Sequence, residues 1–454
     1  MSPVIYDFVA IGLGPFNLSL ACLSSPIEGL NGLFLEQKEE FNWHPGLMFE
    51  SAHLQTPFMS DLVTLADPTH PLSFLNYIKK QGRLYSFYIR EDFYIMRREY
   101  NQYCRWAANE LDNIAFGQCV TEVTRSEKTD CYRLVVRNTK DNSERIVYSR
   151  KLVLGTGPSP YRPDCCPDSD KRICHASDYL YQKEQLQQQS SITLVGSGQS
   201  AAEIYYDLLG DIDQYGYELN WITRAPRFFP LEYTKLTLEM TSPEYVDYFY
   251  ALPQQKKDEL INRQKQLYKG INGDLINEIF DLLYVKRLQH NFTSNILTNS
   301  TLQGVDNPDN TAQPLTLRFM QNEQQQAYEL NSQRMILATG YQYQMPDFIA
   351  GISQQIRWDD HGRFDVQRNY SIDQKGGEIF VQNAELHSHG FVTPDLGMAC
   401  YRNSYILREI LGYAPYEVEE RIAFQQFTAP TKTGGNIRAV EPIPLRQESA
   451  STCR

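Results

Sequence analysis

Two glycine turns, Gly12-Leu13-Gly14-Pro15-Phe16-Asn17 and Gly196-Ser197-Gly198-Gln199-Ser200-Ala201, stand 184 residues apart, and each follows a short apolar run. Such a turn lets the backbone approach a pyrophosphate closely and aims the first N–H groups of a helix at the phosphates, provided that a strand precedes it and a helix follows. Both contexts are present. Ile5 to Ile11 is mostly apolar and β-branched and Phe16 to Leu23 can begin a helix, while Ile192 to Val195 and Ser200 to Leu209 repeat the pattern. The alternative is a pair of tight turns without ligand. Two dinucleotides in one chain imply electron transfer between them.

The residues past each turn separate the two ligands. Leu33-Phe34-Leu35 ends in Glu36, 24 residues beyond Gly12, where a carboxylate accepts hydrogen bonds from a ribose 2′-OH and repels a 2′-phosphate. The first site should therefore take FAD or NAD. The run Leu219 to Thr223 ends in Arg224, with Arg227 nearby and no acid in the equivalent place. A guanidinium there suits the 2′-phosphate of NADPH. Lys151 to Gly157 and Arg334 to Tyr341 each read as a strand opening into a small-residue turn, and they bracket the second unit. The order resembles that of flavoproteins with two dinucleotide-binding domains. An α/β fold is expected, with two Rossmann-like domains built on parallel sheets, the FAD domain being split by the NADPH domain. The divisions expected are 1–185 (FAD domain, first part), 186–330 (NADPH domain, with a helical substrate region at about 239–283), 331–427 (FAD domain, second part, and active-site loop) and a mobile tail, 428–454.

Composition narrows the function. No apolar run approaches the ~20 residues of a membrane helix and the chain enters a strand almost at once, so a cytoplasmic protein with no membrane partner is expected. A net charge of −12 argues against nucleic acid and is compatible with a cationic substrate. The nine cysteines include no CxxC pair, which disfavours the disulfide reductases of similar architecture. Cys165, Cys166, Cys174 and His175 include two adjacent thiols, a poor pattern for structural zinc, and no metal is expected.

Several separate motifs then carry a family resemblance. FNWHPG (Phe41 to Gly46), LQT (Leu54 to Thr56), DLVTLADPT (Asp61 to Thr69), PLSFLNYI (Pro71 to Ile78), RREYNQYCRWA (Arg97 to Ala107), GSGQSAAE (Gly196 to Glu203) and ATGY (Ala338 to Tyr341) resemble those of the flavin-dependent N-hydroxylating monooxygenases, which include lysine and ornithine N-hydroxylases of siderophore biosynthesis. The resemblance implies that Gly12, Gly14, Asn17 and Glu36 hold the ADP part of FAD, and that Trp43, His44 and Gln55 lie near the isoalloxazine. It places Gly196, Gly198, Gln199, Ser200 and Arg224 on NADPH, and Arg97 near flavin and nicotinamide. It also implies a dimer or tetramer. The reaction implied is reduction of FAD by NADPH, capture of O₂ as a flavin hydroperoxide, and oxygen transfer to a primary amine. The amine must be neutral, and deprotonating a lysine-like ammonium at pH 7 costs about 4.6 kcal/mol, so an amide suits the reacting end better than a carboxylate. Asn277, in Leu275-Ile276-Asn277-Glu278-Ile279-Phe280, matches a segment whose asparagine contacts substrate in ornithine enzymes.

One departure decides the expected substrate. The segment after LQT reads FLKDL in lysine and ornithine hydroxylases, its lysine pairing with the substrate carboxylate, whereas here it is Phe58-Met59-Ser60-Asp61-Leu62. Ser60 has no charge, so an amino acid's carboxylate would be desolvated with a weaker partner. Putrescine and cadaverine lack that carboxylate. Their second ammonium needs an acid, for which Asp395 in the loop His389 to Gly397 is the candidate; Gly397 stands where the family often has serine. The expectation is thus a diamine N-hydroxylase for a hydroxamate siderophore. The rivals are a lysine or ornithine hydroxylase, a Baeyer–Villiger or sulfur-oxidising flavin monooxygenase, whose FxGxxxHxxxY/F signature is absent between Gly157 and Ser191, and a nucleotide-binding protein without turnover.

Overall fold

The computed structural model describes residues 4–126, 130–167, 170–289, 292–306 and 313–430. Two large sheets, the first mixed and the second all parallel, organise the chain. In the first, Ile5–Ile11 lies between Gly32–Glu36 and Glu144–Leu154, and all three run parallel. Ile114–Phe116 extends it beside Gly32–Glu36, and Ile379–Val381 returns late in sequence to pair with Glu144–Leu154. Phe8, Val9, Ala10, Leu152 and Val153 are wholly buried, because a parallel strand covered on both faces must be apolar throughout. The long strand Glu144–Leu154 also pairs antiparallel with Cys131–Asn138, which pairs in turn with Gln118–Ser126. That antiparallel extension was not expected from the sequence.

The second sheet has the order Ile173–His175, Arg334–Leu337, Ser191–Val195, Glu218–Ile222, Ser294–Leu297, all parallel. Its first two strands, Ile173–His175 and Arg334–Leu337, lie outside the 186–330 expected for the second domain. The cause is long-range pairing: Leu337 lies beside Val195, so the ATGY turn closes over the second glycine turn and not the first. A three-stranded antiparallel sheet, Ser300–Asp306, Leu315–Gln321 and Gln326–Ser332, packs beside it.

The region expected to be helical contains Pro243–Ala251, Gln254–Arg263 and Gly273–Gln289. Tyr245, Val246 and Phe249 join the core of the first domain, with Tyr245 5.6 Å from Phe391. Leu275, Ile276 and Ile279 instead pack with the core of the second. These helices therefore connect both nucleotide domains to the loop at 389–397. Of the expected tail, 431–454 lies outside the described residues.

Candidate active site

Both glycine turns are built as cradles. Gly12 has φ +86°, and a Cβ there would lie 2.5 Å from the Gly155 carbonyl oxygen, so only glycine permits this approach. Gly14 caps the helix Pro15–Ser24 without a side-chain hydrogen bond, and a Cβ on it would meet nothing within 4 Å. The helix N-terminus thus faces open space with its N–H groups available. Asn17 braces the turn, donating from Nδ2 to the Gly12 carbonyl at 2.6 Å and accepting from Gln382 Nε2 at 2.6 Å. Glu36 accepts from the backbone N–H of Leu13 (2.7 Å) and of Lys38 (2.9 Å), which fixes its carboxylate at the strand end with lone pairs left for a ribose.

The second cradle repeats the geometry. A Cβ on Gly196 would lie 2.2 Å from the Ala338 carbonyl oxygen, and Gly198 caps the helix Gln199–Tyr215, again without a side-chain bond. Ser200 sits in its first turn. Arg224 is exposed beyond Glu218–Ile222 with no carboxylate partner among the described residues, and Arg227 lies over the Phe229 ring. These features fit two dinucleotides, the second carrying an extra phosphate.

The two cradles meet through side chains. Gln55 Nε2 donates to Gln199 Oε1 at 3.2 Å, and the same oxygen accepts from the Asn272 backbone N–H at 2.8 Å. Arg97 makes a two-pronged contact with Glu203, at 3.0 and 2.7 Å, and donates to the Leu47 carbonyl at 2.7 Å. Gln199 Nε2 completes the set on Glu203 at 2.9 Å. Glu203 was given no role from sequence, although its place four residues after Gln199 puts both on one helical face.

Trp43 and His44 lie beside this join. His44 is held in the left-handed region, φ +48°, with its ring 4.9 Å from Trp43 and 5.6 Å from Tyr341. Burial, helped by Arg97 and Lys38, lowers its pKa to about 4, so the imidazole is neutral at physiological pH. Trp43 packs edge-on to Tyr100, and its backbone N–H donates to Asn101 Oδ1.

Ser60 and Asp395, 335 positions apart, come together around Gly397. A Cβ on Gly397 would stand 3.2 Å from both Ser60 Oγ and Asp395 Oδ1, so those oxygens are separated by no more than twice that distance. Ser60 is buried. Asp395 accepts the Gly397 N–H at 2.8 Å and keeps some accessible surface, yet it sits deep enough that burial raises its pKa, against the Gly397 N–H and the Arg402 guanidinium. The structure does not bring Asn277 to this place. Leu275, Ile276 and Ile279 turn inward on its helix, so Asn277 is exposed on another face. Asn272, five residues earlier, is the asparagine at the Gln55–Gln199 join.

Comparison with known proteins agrees with this geometry. The L-lysine 6-monooxygenase/L-ornithine 5-monooxygenase family model matches residues 4–343. A protein of Shewanella oneidensis named putrescine N-hydroxylase is 54% identical over 448 residues, covering 99% of this chain and 89% of its own length. An Acinetobacter baumannii protein of the same name is 45% identical, covering 99% and 98%. The FAD-bound crystal structure of a cadaverine monooxygenase from the desferrioxamine pathway of Erwinia amylovora superposes with a TM-score of 0.92 at 58% identity, covering 95% of this chain and all of that one. With its two cradles, the join between them and this extent of similarity, the chain belongs to the L-lysine 6-monooxygenase/L-ornithine 5-monooxygenase family.

Proposed function

We propose that this protein is an FAD- and NADPH-dependent monooxygenase that N-hydroxylates one primary amine of putrescine or cadaverine for a hydroxamate siderophore. The observation that carries this is the pairing of uncharged Ser60 with the Asp395 carboxylate around Gly397. That corner offers a negative charge to an ammonium, whereas Ser60 offers no cation to a carboxylate and the nearby Arg402 is already paired with Glu385. The names of the Shewanella, Acinetobacter and Erwinia relatives support a diamine of four or five carbons. Their difference of one methylene amounts to about 1–3 kcal/mol of pocket shape.

Bound FAD, with NADPH as reductant, supplies the oxygen-activating chemistry. The chain's own residues bind, orient and neutralise. Gly12, Gly14 and Asn17 shape the first pyrophosphate site and Glu36 receives its ribose; Gly196, Gly198, Gln199 and Ser200 shape the second, and Arg224 takes its 2′-phosphate. Arg97 is neutralised by Glu203, and that carboxylate is in turn occupied by Arg97 and Gln199. The Glu203 carboxylate is therefore not free to hold the reacting amine as an ammonium. Gln55 offers its amide Oε1 at the join, and neutral His44 adds no charge. Asp395 holds the far ammonium and so orients the near amine toward the flavin.

We also infer a homo-oligomer, supported by Phe280, Tyr284 and Leu288, which are exposed by 66, 60 and 72% at successive i, i+4 positions on one helix face. No helix among the described residues is long and apolar enough to cross a membrane, and we place the enzyme in the cytoplasm, where NADPH is available. The function is tested by Asp395→Asn. Loss of the charge-assisted contact, about 1.5–3 kcal/mol, should raise the KM for the diamine some 10- to 100-fold; an unchanged KM would remove Asp395 from the site.

A further inference from the structure

A buried hydroxyl near Asp395, that of Tyr233, lacks a partner among the described residues. Tyr233 stands between the strand Glu218–Ile222 and the short helix Lys235–Leu238. Its hydroxyl oxygen is buried and has no hydrogen-bond partner among the described residues. The Tyr233 ring lies 6.4 Å from that of Tyr94, and Tyr94 is paired across the strands with Pro57, three residues before Ser60. Tyr233 thus lies on the side of Tyr94 and Pro57 toward the corner formed by Ser60, Gly397 and Asp395, near enough to Asp395 to feel its charge.

The surroundings define what could satisfy this hydroxyl. Burial raises its pKa most, and Tyr94 and Asp395 raise it further, while no cation acts on it. The phenol stays protonated and presents lone pairs in a region of negative field. Leaving it unpaired in the interior is unfavourable, and a donor would relieve this. A cationic N–H donor meets both conditions, because it can bond the oxygen and also offset the field of Asp395.

We propose that Tyr233 is a substrate-binding residue whose Oη and the Asp395 carboxylate receive the same distal ammonium. One nitrogen with three N–H groups can serve both acceptors. Tyr233 then discriminates a diamine from a monoamine of equal length, whose methyl end would leave Oη orphaned. This assignment rests on the diamine reading of Ser60 and Asp395.

The test compares putrescine with n-butylamine in FAD-loaded wild-type and Tyr233→Phe proteins. The variant removes one oxygen and keeps the ring. The wild type should prefer putrescine, and Tyr233→Phe should lower the putrescine-to-butylamine ratio of kcat/KM about tenfold. A merely structural role would depress both amines alike and leave the ratio unmoved. If the wild type prefers putrescine and the variant keeps that preference in full, the Tyr233 assignment is overturned while the diamine reading stands. If the wild type shows no preference for putrescine, both are overturned.

Discussion

Restoring the family's lysine should not turn this protein into an amino acid hydroxylase. The side chain introduced by Ser60→Lys would extend from a position whose native oxygen and Asp395 Oδ1 lie 3.2 Å from one common point on Gly397. A lysine side chain easily spans that separation. At about 4 Å and an effective dielectric near 20, an ammonium and a carboxylate attract by about 4 kcal/mol; after desolvation and side-chain ordering, about 2–3 kcal/mol remains. The new ammonium would therefore occupy the acceptor meant for the distal amine. We expect the KM for putrescine or cadaverine to rise about 30- to 150-fold, with no matching gain for lysine or ornithine, since the new cation is already neutralised. The assay is hydroxylamine formation across a concentration series of each amine, normalised to bound FAD. Efficient lysine or ornithine hydroxylation by Ser60→Lys alone would refute the proximity argument, and adding Asp395→Asn should release the introduced ammonium for a carboxylate.

Other expectations follow from the cradles, the join and the buried imidazole. Gly14→Ala places its Cβ in open space, so the apoprotein should keep its unfolding midpoint while purifying with much less FAD; full flavin occupancy would contradict the cradle. Glu203→Gln removes the charge opposing Arg97 in a contact whose side chains are only 12 and 7% exposed, and urea unfolding should register a loss of about 1–3 kcal/mol. Unchanged stability would argue that the pair does not tie the two domains. The pKa of His44 is lowered to about 4, so between pH 6.5 and 4 the unfolded chain binds the proton more readily than the folded one. Stability should decline as pH falls through that window, by up to about 3 kcal/mol from this group, and an NMR titration finding the His44 imidazole protonated near pH 6.5 would contradict it.

The nucleotide framework was legible because its constraints are local. Gly12 and Gly196 are places where any Cβ collides with a carbonyl, and the strands before them are mostly apolar. Glu36 and Arg224 were picked out by their place after each turn's following strand, and in the structure Glu36 ends Gly32–Glu36 while Arg224 lies just past Glu218–Ile222. Strand partners were not, since nothing local to Arg334–Leu337 says that it pairs with Ser191–Val195. Asn277 was read from a motif when helical periodicity gave better guidance: Leu275, Ile276, Ile279, Leu282 and Leu283 make an inward stripe that excludes it. The missing charge at Ser60 was visible in sequence, whereas its meeting with Asp395 across Gly397 needed the fold. Tyr233 had no signal at all, because an orphaned hydroxyl exists only once its neighbours are in place.

The most direct measurement supplies the FAD-loaded enzyme with NADPH and O₂, together with putrescine, cadaverine, lysine or ornithine in separate reactions, and quantifies the hydroxylamine formed. One of the diamines should give the highest kcat/KM, with lysine and ornithine well below it. Greater efficiency with either amino acid would contradict the account of Ser60 and Asp395.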